Sequence, residues 1–290
     1  DYHNLLHKAR PDAVLVCTPP NLHYEIIKEA ADLGIHVFVE KPFTTKYKDA
    51  MELANLYKDL GLVGQEGYVN RFNDVFTKVK DIIEDGVIGK IIRIKSEMFS
   101  GTIIRSGKDS SWRASRATGG GVLFEMASHA IDLINYLIGP PDKVVGSALD
   151  QIYSQKVEDA VSTTLLYKNG VSGTLFINWS DSSYRKPTNK IELFGKEGKI
   201  LADQHSIKVY LNKENEKYNF IQGWNTLYIT DIFKQVPFYV RGNEFTSQLY
   251  HFIDCINDDS KSNICSFTDG ANTLKVIDKI YEDYERNGKL

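Results

Sequence analysis

The first seventy residues alternate between short unbroken apolar runs and longer amphipathic stretches. Ala13-Val14-Leu15-Val16-Cys17 is apolar at every position, the form of a parallel strand buried on both faces. Thr18-Pro19-Pro20-Asn21 breaks it, and an amphipathic helix is predicted from Leu22 to Leu33, with Gly34 at the position after its C-cap. His36-Val37-Phe38-Val39 is the second buried strand, ending at Glu40-Lys41-Pro42. Thr44 or Thr45 is expected to cap a helix reaching Leu60, and Leu62-Val63-Gly64 to form a third strand. Strand and helix in strict alternation imply βαβ crossovers and a parallel sheet.

Beyond Arg71 the period changes. A helix from Phe72 to Asp85 stops at Gly86, and two-residue alternation takes over in Lys90–Phe99, Lys143–Ile152, Ala160–Tyr167, Val171–Trp179, Lys190–Phe194 and Ile207–Leu211. Asn169-Gly170 lies between two of these runs and signals a two-residue hairpin. Helices predicted at Val122–Ile138, Asn243–Asn257 and Asp269–Arg286 would cover one face of the resulting mostly antiparallel sheet. The chain thus divides into an α/β region, residues 1–70, and an α+β region, residues 71–290, whose last helix can pack back on the first. The uncovered face of the second sheet is a candidate subunit interface for a homodimer or homotetramer. No internal repeat or low-complexity segment interrupts the pattern.

Composition narrows the classes of function. Of 290 residues, 35 are Lys or Arg and 38 are Asp or Glu, so the net charge of −3 offers no broad basic surface for nucleic acid or anionic lipid. No apolar run approaches the ~20 residues that a membrane-spanning helix needs. Cys17, Cys255 and Cys265 are scattered and form no C-x-x-C, which argues against a zinc site or disulfide frame and fits a reducing, cytoplasmic setting. No metal is expected.

Two loops fall where open parallel sheets place their ligands, outside the carboxyl ends of the strands: Thr18 to His23, and Glu40-Lys41-Pro42. The first also reads as an ordinary strand-to-helix turn with Asn21 as N-cap, and the second as a solvated charged pair. Lys41, however, directly follows a buried strand and precedes a proline, which favours extended backbone and aims the ammonium over the strand ends. Gly119-Gly120-Gly121 opens the helix Val122–Ile138. At 3.6 residues per turn, Glu125, Ser128, His129, Asp132, Asn135 and Tyr136 share one stripe, apart from the apolar positions. That stripe is either a solvent face or a site. It carries no Lys or Arg and sets Glu125 four residues before His129, where a carboxylate can orient an imidazole and raise its basicity. Such a histidine suits general-base work on a hydroxyl, and the glycines would let a planar ligand approach closely. Trp112-Arg113, just upstream, is a further candidate or a simple anchor.

Taken in order, Thr-Pro-Pro-Asn-x-His at 18–23, Gly-x-His-Val-x-x-Glu-Lys-Pro at 34–42, Tyr68 with Arg71, Trp112-Arg113, and Gly-Gly-Gly-x-Leu with a histidine eight residues after Gly121 resemble the glucose-fructose oxidoreductase/inositol dehydrogenase/rhizopine catabolism (Gfo/Idh/MocA) family. The resemblance extends over essentially the whole chain. It implies a Rossmann-type dinucleotide domain followed by an open-sheet substrate domain, and an NAD(P)-dependent dehydrogenase acting on a sugar, nucleotide sugar or cyclitol. It implies that His129 takes the proton of a secondary hydroxyl and that Lys41 assists. Thr18, Pro19, Asn21, His23, Glu40, Lys41, Arg71, Trp112 and Arg113 would then line the cofactor, and Tyr68, Glu125, Lys41 and His129 the substrate.

Two departures matter. Relatives often carry Asp and Gly where this chain has Glu125 and Ala127, so the carboxylate reaches one methylene further. Relatives also begin with a strand and a G-x-G-x-x-G turn, which no glycine cluster here matches, so the chain as written holds the nicotinamide half of a dinucleotide site. A chain beginning at Asp1 would leave Ala13–Cys17 at an exposed sheet edge, poorly soluble and without nicotinamide binding. NAD is preferred over NADP as the commoner case. Arg105, Arg116, Arg185 and Lys186 are candidates for phosphates of a nucleotide sugar, or ordinary solvated loop residues. The competing functions are an NAD-dependent glycosidase of the same family and a non-catalytic binding or assembly relative.

Overall fold

A computed structural model describes residues 1–101, 112–238 and 242–287. Arg105 lies outside the described residues. Three parallel strands, β1 (Ala13–Val16), β2 (His36–Val39) and β3 (Gly64–Glu66), form the first sheet in the order β1-β2-β3. Helices α1 (His23–Asp32) and α2 (Tyr47–Asp59) are its crossovers. Central β2 buries Val37, Phe38 and Val39, whereas β1 is an edge strand that leaves Leu15 exposed. A short helical segment, Tyr2–Ala9, buries Leu6 and sets His3 and His7 against Glu29 of α1.

After α3 (Asp74–Glu84), capped by Asn73, which accepts from the Val75 amide at 3.0 Å, the chain enters an eight-stranded sheet. Its strands are β4 (Ile91–Phe99), β5 (Lys143–Asp150), β6 (Ala160–Leu166), β7 (Ser172–Asn178), β8 (Thr188–Gly195), β9 (Gly198–Ala202), β10 (Ser206–Leu211) and β11 (Gly223–Tyr228). The order is β11-β10-β9-β8-β4-β7-β6-β5, antiparallel except for the β4–β7 pair. Gly170, at φ 87°, makes the turn between β6 and β7. α4 (Ser128–Ile138) packs on one face, where Ile94, Leu175, Ile177 and Leu193 are buried, while Phe176, Phe194, Tyr210 and Trp224 stand exposed on the other. Among the described residues no helix is long and apolar enough to cross a membrane.

Four expectations change. α2 begins at Tyr47 with Lys46 as N-cap and no side-chain cap bond, because the Thr44 hydroxyl donates instead to the Lys46 carbonyl at 2.8 Å. The third strand is not the apolar pair Leu62-Val63 but the buried Gly64-Gln65-Glu66, whose polar side chains each make one hydrogen bond, Gln65 to the Gln248 carbonyl and Glu66 from the Phe43 amide. β9 and β11 went unpredicted, since the first is only five residues long and the second is an edge strand rich in polar positions. Helix α5 (Asn243–Asn257) does not cover the large sheet. It lies against the first one, with Phe252 edge-on to Phe38 and the Gln248 carbonyl accepting from Gln65.

Helix α6 (Phe267–Asn287) joins the two sheets. Its first residue, Phe267, stacks on Phe43 at 4.5 Å between centroids and meets Tyr57 edge-on at 4.8 Å, while the helix body packs along β5 and α4. A Cβ at Gly64 would run into the Phe267 ring, so the glycine of β3 is the space that this aromatic fills. Phe267→Ala is expected to cost about 3–5 kcal/mol of stability by leaving a cavity under α6. Urea denaturation followed by tryptophan fluorescence measures it.

Candidate active site

The two loops at the strand ends are tied together by an imidazole. His23, fully buried, presents Nδ1 to the carbonyls of Pro42 and Phe43 at 3.1 and 3.2 Å and Nε2 to that of Thr18 at 2.7 Å. Its ring therefore braces the loops rather than lining a surface. Asn21 sits in a 3-10 turn (Pro20–Leu22) and makes no cap bond, so it is not the N-cap of α1. Thr18, Pro19 and Asn21 are exposed at the carboxyl end of β1, and Glu40 is half-buried at that of β2.

Lys41 follows β2 and reaches across to the second domain. Its ammonium donates to the Glu125 carbonyl and to Glu125 Oε2 at 3.2 Å, and the two side chains are 12% and 20% exposed. Glu125 Oε1 also accepts from Nε of Arg113 at 3.2 Å, and the Arg113 guanidinium lies 4.6 Å from the centre of the Trp112 ring. The expected Glu125–His129 pair is thus replaced by Glu125–Lys41. Leu123–Ala127 winds as a π-helix before α4 begins, which breaks the i,i+4 spacing on which that pair depended.

His129 is half-buried on α4. Its Nδ1 is sealed inside without a protein partner, and the Tyr68 ring meets the imidazole edge-on, 5.9 Å between centroids at 82°. Burial first, and the Lys41 charge second, hold its pKa well below the ordinary 6.5. The imidazole is neutral near pH 7, as a general base requires. Tyr68 itself is fully buried, so it backs the histidine from inside.

The rest of the polar stripe turns inward. The Ser128 hydroxyl donates to the Phe124 carbonyl, and Asp132, fully buried, receives Arg71 through Nε at 2.9 Å and Nη2 at 2.7 Å. Arg71 also donates through Nη1 to the Ile264 carbonyl at 2.6 Å and pairs with Asp269 at 3.1 Å. Only 3% of the Arg71 side chain is exposed, so the structure gives it a cross-linking role in place of the expected cofactor contact. Burial raises Asp132 to about 6 against the pull of Arg71.

The glycine triplet admits protein rather than ligand. A Cβ at Gly119 would press on Pro20 and Thr45, at Gly120 on the Arg113 carbonyl, and at Gly121 on the Glu158 carboxyl. Sequence reasoning missed Glu158, which is buried, accepts from the Leu123 amide and the Tyr281 hydroxyl at 3.0 Å each, and so anchors the start of the His129 segment. Its only signal is an acidic pair, Glu158-Asp159, directly before an apolar strand. Arg116 lies over the Tyr281 ring and pairs with Glu285, while Arg185 and Lys186 are exposed. Among the described residues no three metal-ligating side chains converge.

Residues 1–68 match the model of an oxidoreductase family with an NAD-binding Rossmann fold, and residues 76–201 that of a GFO/IDH/MocA C-terminal domain. The chain is 33% identical over 165 residues to an uncharacterized oxidoreductase of Schizosaccharomyces pombe, covering 56% of this chain but only 44% of that protein. It is 28% identical over 249 residues to the myo-inositol 2-dehydrogenase of Thermotoga maritima, covering 80% of this chain and 70% of that one. The fold superposes on a levoglucosan dehydrogenase solved with NADH and levoglucosan, with a TM-score of 0.87 at 22% identity, over 99% of this chain and 82% of that one.

Arg71→Met, which strands a buried Asp132, is expected to cost about 3–5 kcal/mol, and adding Asp132→Leu to recover most of it. Denaturant midpoints of the two variants decide this.

Proposed function

The chain belongs to the Gfo/Idh/MocA oxidoreductase family, and on that premise we propose that it oxidises a secondary hydroxyl of a sugar, nucleotide sugar or cyclitol, with His129 as general base and Lys41 beside it. One observation carries the reading: a lysine that follows the first sheet's central strand and a neutral histidine from the second domain converge, with burial first and the lysine charge second depressing the proton affinity of the imidazole. In the proposed reaction the hydroxyl proton passes to Nε2 of His129, the ring nitrogen not sealed into the interior. Lys41, steered by Glu125, stabilises the oxygen as it gains charge. Tyr68 behind the ring keeps the imidazole from turning away.

The residues present fit the nicotinamide end of a dinucleotide. Thr18, Pro19 and Asn21 stand exposed at the carboxyl end of an edge strand, with Glu40 and Lys41 beside them at the next, where open α/β sheets take such ligands. With Trp112 and Arg113 they would hold the nicotinamide end of NAD, the commoner of the two dinucleotides. When bound, the group supplies a two-electron acceptor for the hydride leaving the carbinol carbon. His23 shapes this surface from below by fixing both loops. The exposed aromatic face of the large sheet, with Phe176, Phe194, Tyr210 and Trp224, is the proposed contact between subunits.

Reduction of NAD, followed at 340 nm over a panel of cyclitols, sugars and nucleotide sugars, tests the assignment. His129→Ala and Lys41→Ala are each expected to lower kcat about 100-fold or more. Because the His129 pKa lies below 6.5 in the folded protein, the acid limb of kcat/KM is expected below pH 6.5. Removing the lysine charge in Lys41→Met would move that limb upward. Release of a glycoside aglycone with no net NADH would instead favour a glycosidase.

A further inference from the structure

Glu66, the last residue of β3, is wholly buried under the site and takes no part in the proton transfer. Its Oε1 accepts from the backbone amide of Phe43 at 2.9 Å, two residues beyond Lys41. The Tyr68 hydroxyl lies beside this carboxyl, and the Tyr68 amide donates to the Glu66 carbonyl at 3.0 Å. That hydroxyl and Glu66 Oε2 are both buried without a hydrogen bond of standard geometry, and a Cβ at Gly270 would run into Oε2. Its main chain is held by Cys265, whose carbonyl accepts from the Glu66 amide at 2.9 Å and whose thiol donates to the Glu66 carbonyl at 3.0 Å. One carboxyl therefore touches the loop that carries Lys41 on one side and the ring that backs His129 on the other.

Among the described residues no cation pairs with this group, and Arg71 acts on it only from a distance. The charged and titratable neighbours are Asp132 on α4, Arg71 and Tyr68 in the turn after β3, and Cys265 before α6, and Arg71 is committed to Asp132 and Asp269. Burial first, and the Asp132 charge second, push the Glu66 carboxyl well above the usual range. A neutral carboxylic acid has one acceptor oxygen and one O–H to donate. The Phe43 amide fills the first, and the Tyr68 hydroxyl is beside the second.

We propose that Glu66 is a positioning residue, a clamp between the loop after β2 and the Tyr68 ring that sets the spacing of Lys41 and His129. This rests on the assignment of those two residues as the reacting pair. Spacing of that kind governs rate strongly, since a displacement of about 1 Å costs on the order of 100-fold. It also bears on the His129 proton affinity, which burial first and the Lys41 charge second depress. The other ionisable groups near the imidazole are Tyr68, which backs its ring, and Glu125, one turn earlier and bound to Lys41.

The test compares Glu66→Gln and Glu66→Leu in the full protein, reading the His129 titration by NMR of histidine-selectively labelled samples without added cofactor and then steady-state kinetics with NAD. Gln keeps an acceptor for the Phe43 amide and a donor for Tyr68, so His129 is expected to titrate within about 0.2 pH unit of wild type, with kcat within about twofold. Leu fills the space and breaks both links. In that variant His129 is expected to titrate about half a unit or more higher, as the lysine charge retreats, and kcat to fall about tenfold or more with KM little changed. A folded Leu variant with an unmoved His129 titration would overturn the clamp and leave Glu66 a packing residue. If the Leu variant does not fold, the Gln variant decides, and a shift of His129 there would show an ionised Glu66 and overturn the proposal. Absence of turnover by wild type on every polyol would sink the dehydrogenase reading, while the titration would still judge the clamp.

Discussion

The buried pair of Arg71 and Asp132 is the joint on which the rest of the arrangement hangs. Arg71 leaves the turn after β3, at the edge of the first sheet, and Asp132 sits on α4, one helical turn beyond His129. A forked guanidinium gripping both oxygens of a carboxylate fixes rotation as well as distance. The rotation of α4, and hence the direction in which His129 points, is set from the turn by which the chain leaves the first sheet. The same guanidinium holds the Ile264 carbonyl and Asp269, so the entry to α6 is fixed at the same point. Two carboxylates share one cation, and the raised pKa of Asp132 records what burial costs there.

Given that joint, the geometry above it follows. Lys41 comes from β2 and Glu125 from the segment before α4, and their contact has meaning only if the two domains hold one relative position. Phe267, stacked on Phe43 and edge-on to Tyr57, supplies the apolar counterpart of the polar joint. His23 stiffens that loop from below, with three carbonyls around its ring. Lys41 is therefore confined by its neighbours before any ligand arrives, which is the preorganisation that charge stabilisation requires.

What the chain revealed in advance divides by the range of the interaction. The apolar runs Ala13–Cys17 and His36–Val39 were legible as strands because an unbroken apolar run needs no distant partner to declare itself. Burial on both faces holds only for the second, the first leaving Leu15 and Cys17 exposed at the sheet edge. Lys41 was legible because it ends such a strand. The stripe on α4 was legible as polar but not in its purpose. Its partners lie 61 residues away for Asp132 and 84 for Glu125, and helical periodicity alone cannot tell solvent from a distant salt bridge. Gln65, Glu66 and Glu158 were illegible for the same reason, since a buried acid looks like a surface residue until its donors are in place.

The glycine triplet shows how a correct observation can carry the wrong cause. Three glycines before a helix do mark a close approach, and two of them, Gly119 and Gly121, adopt the positive φ that side chains resist. What approaches is the protein itself: Pro20 and Thr45 from the first domain at Gly119, the Arg113 backbone at Gly120, and Glu158 at Gly121. At Gly119 that contact again crosses between the domains, and at Gly121 it seats the carboxyl that receives the Leu123 amide. The glycines serve His129 by letting its supporting segment sit tight against three neighbours. The precision of the site is built into the packing beneath it rather than into the surface that a ligand would touch.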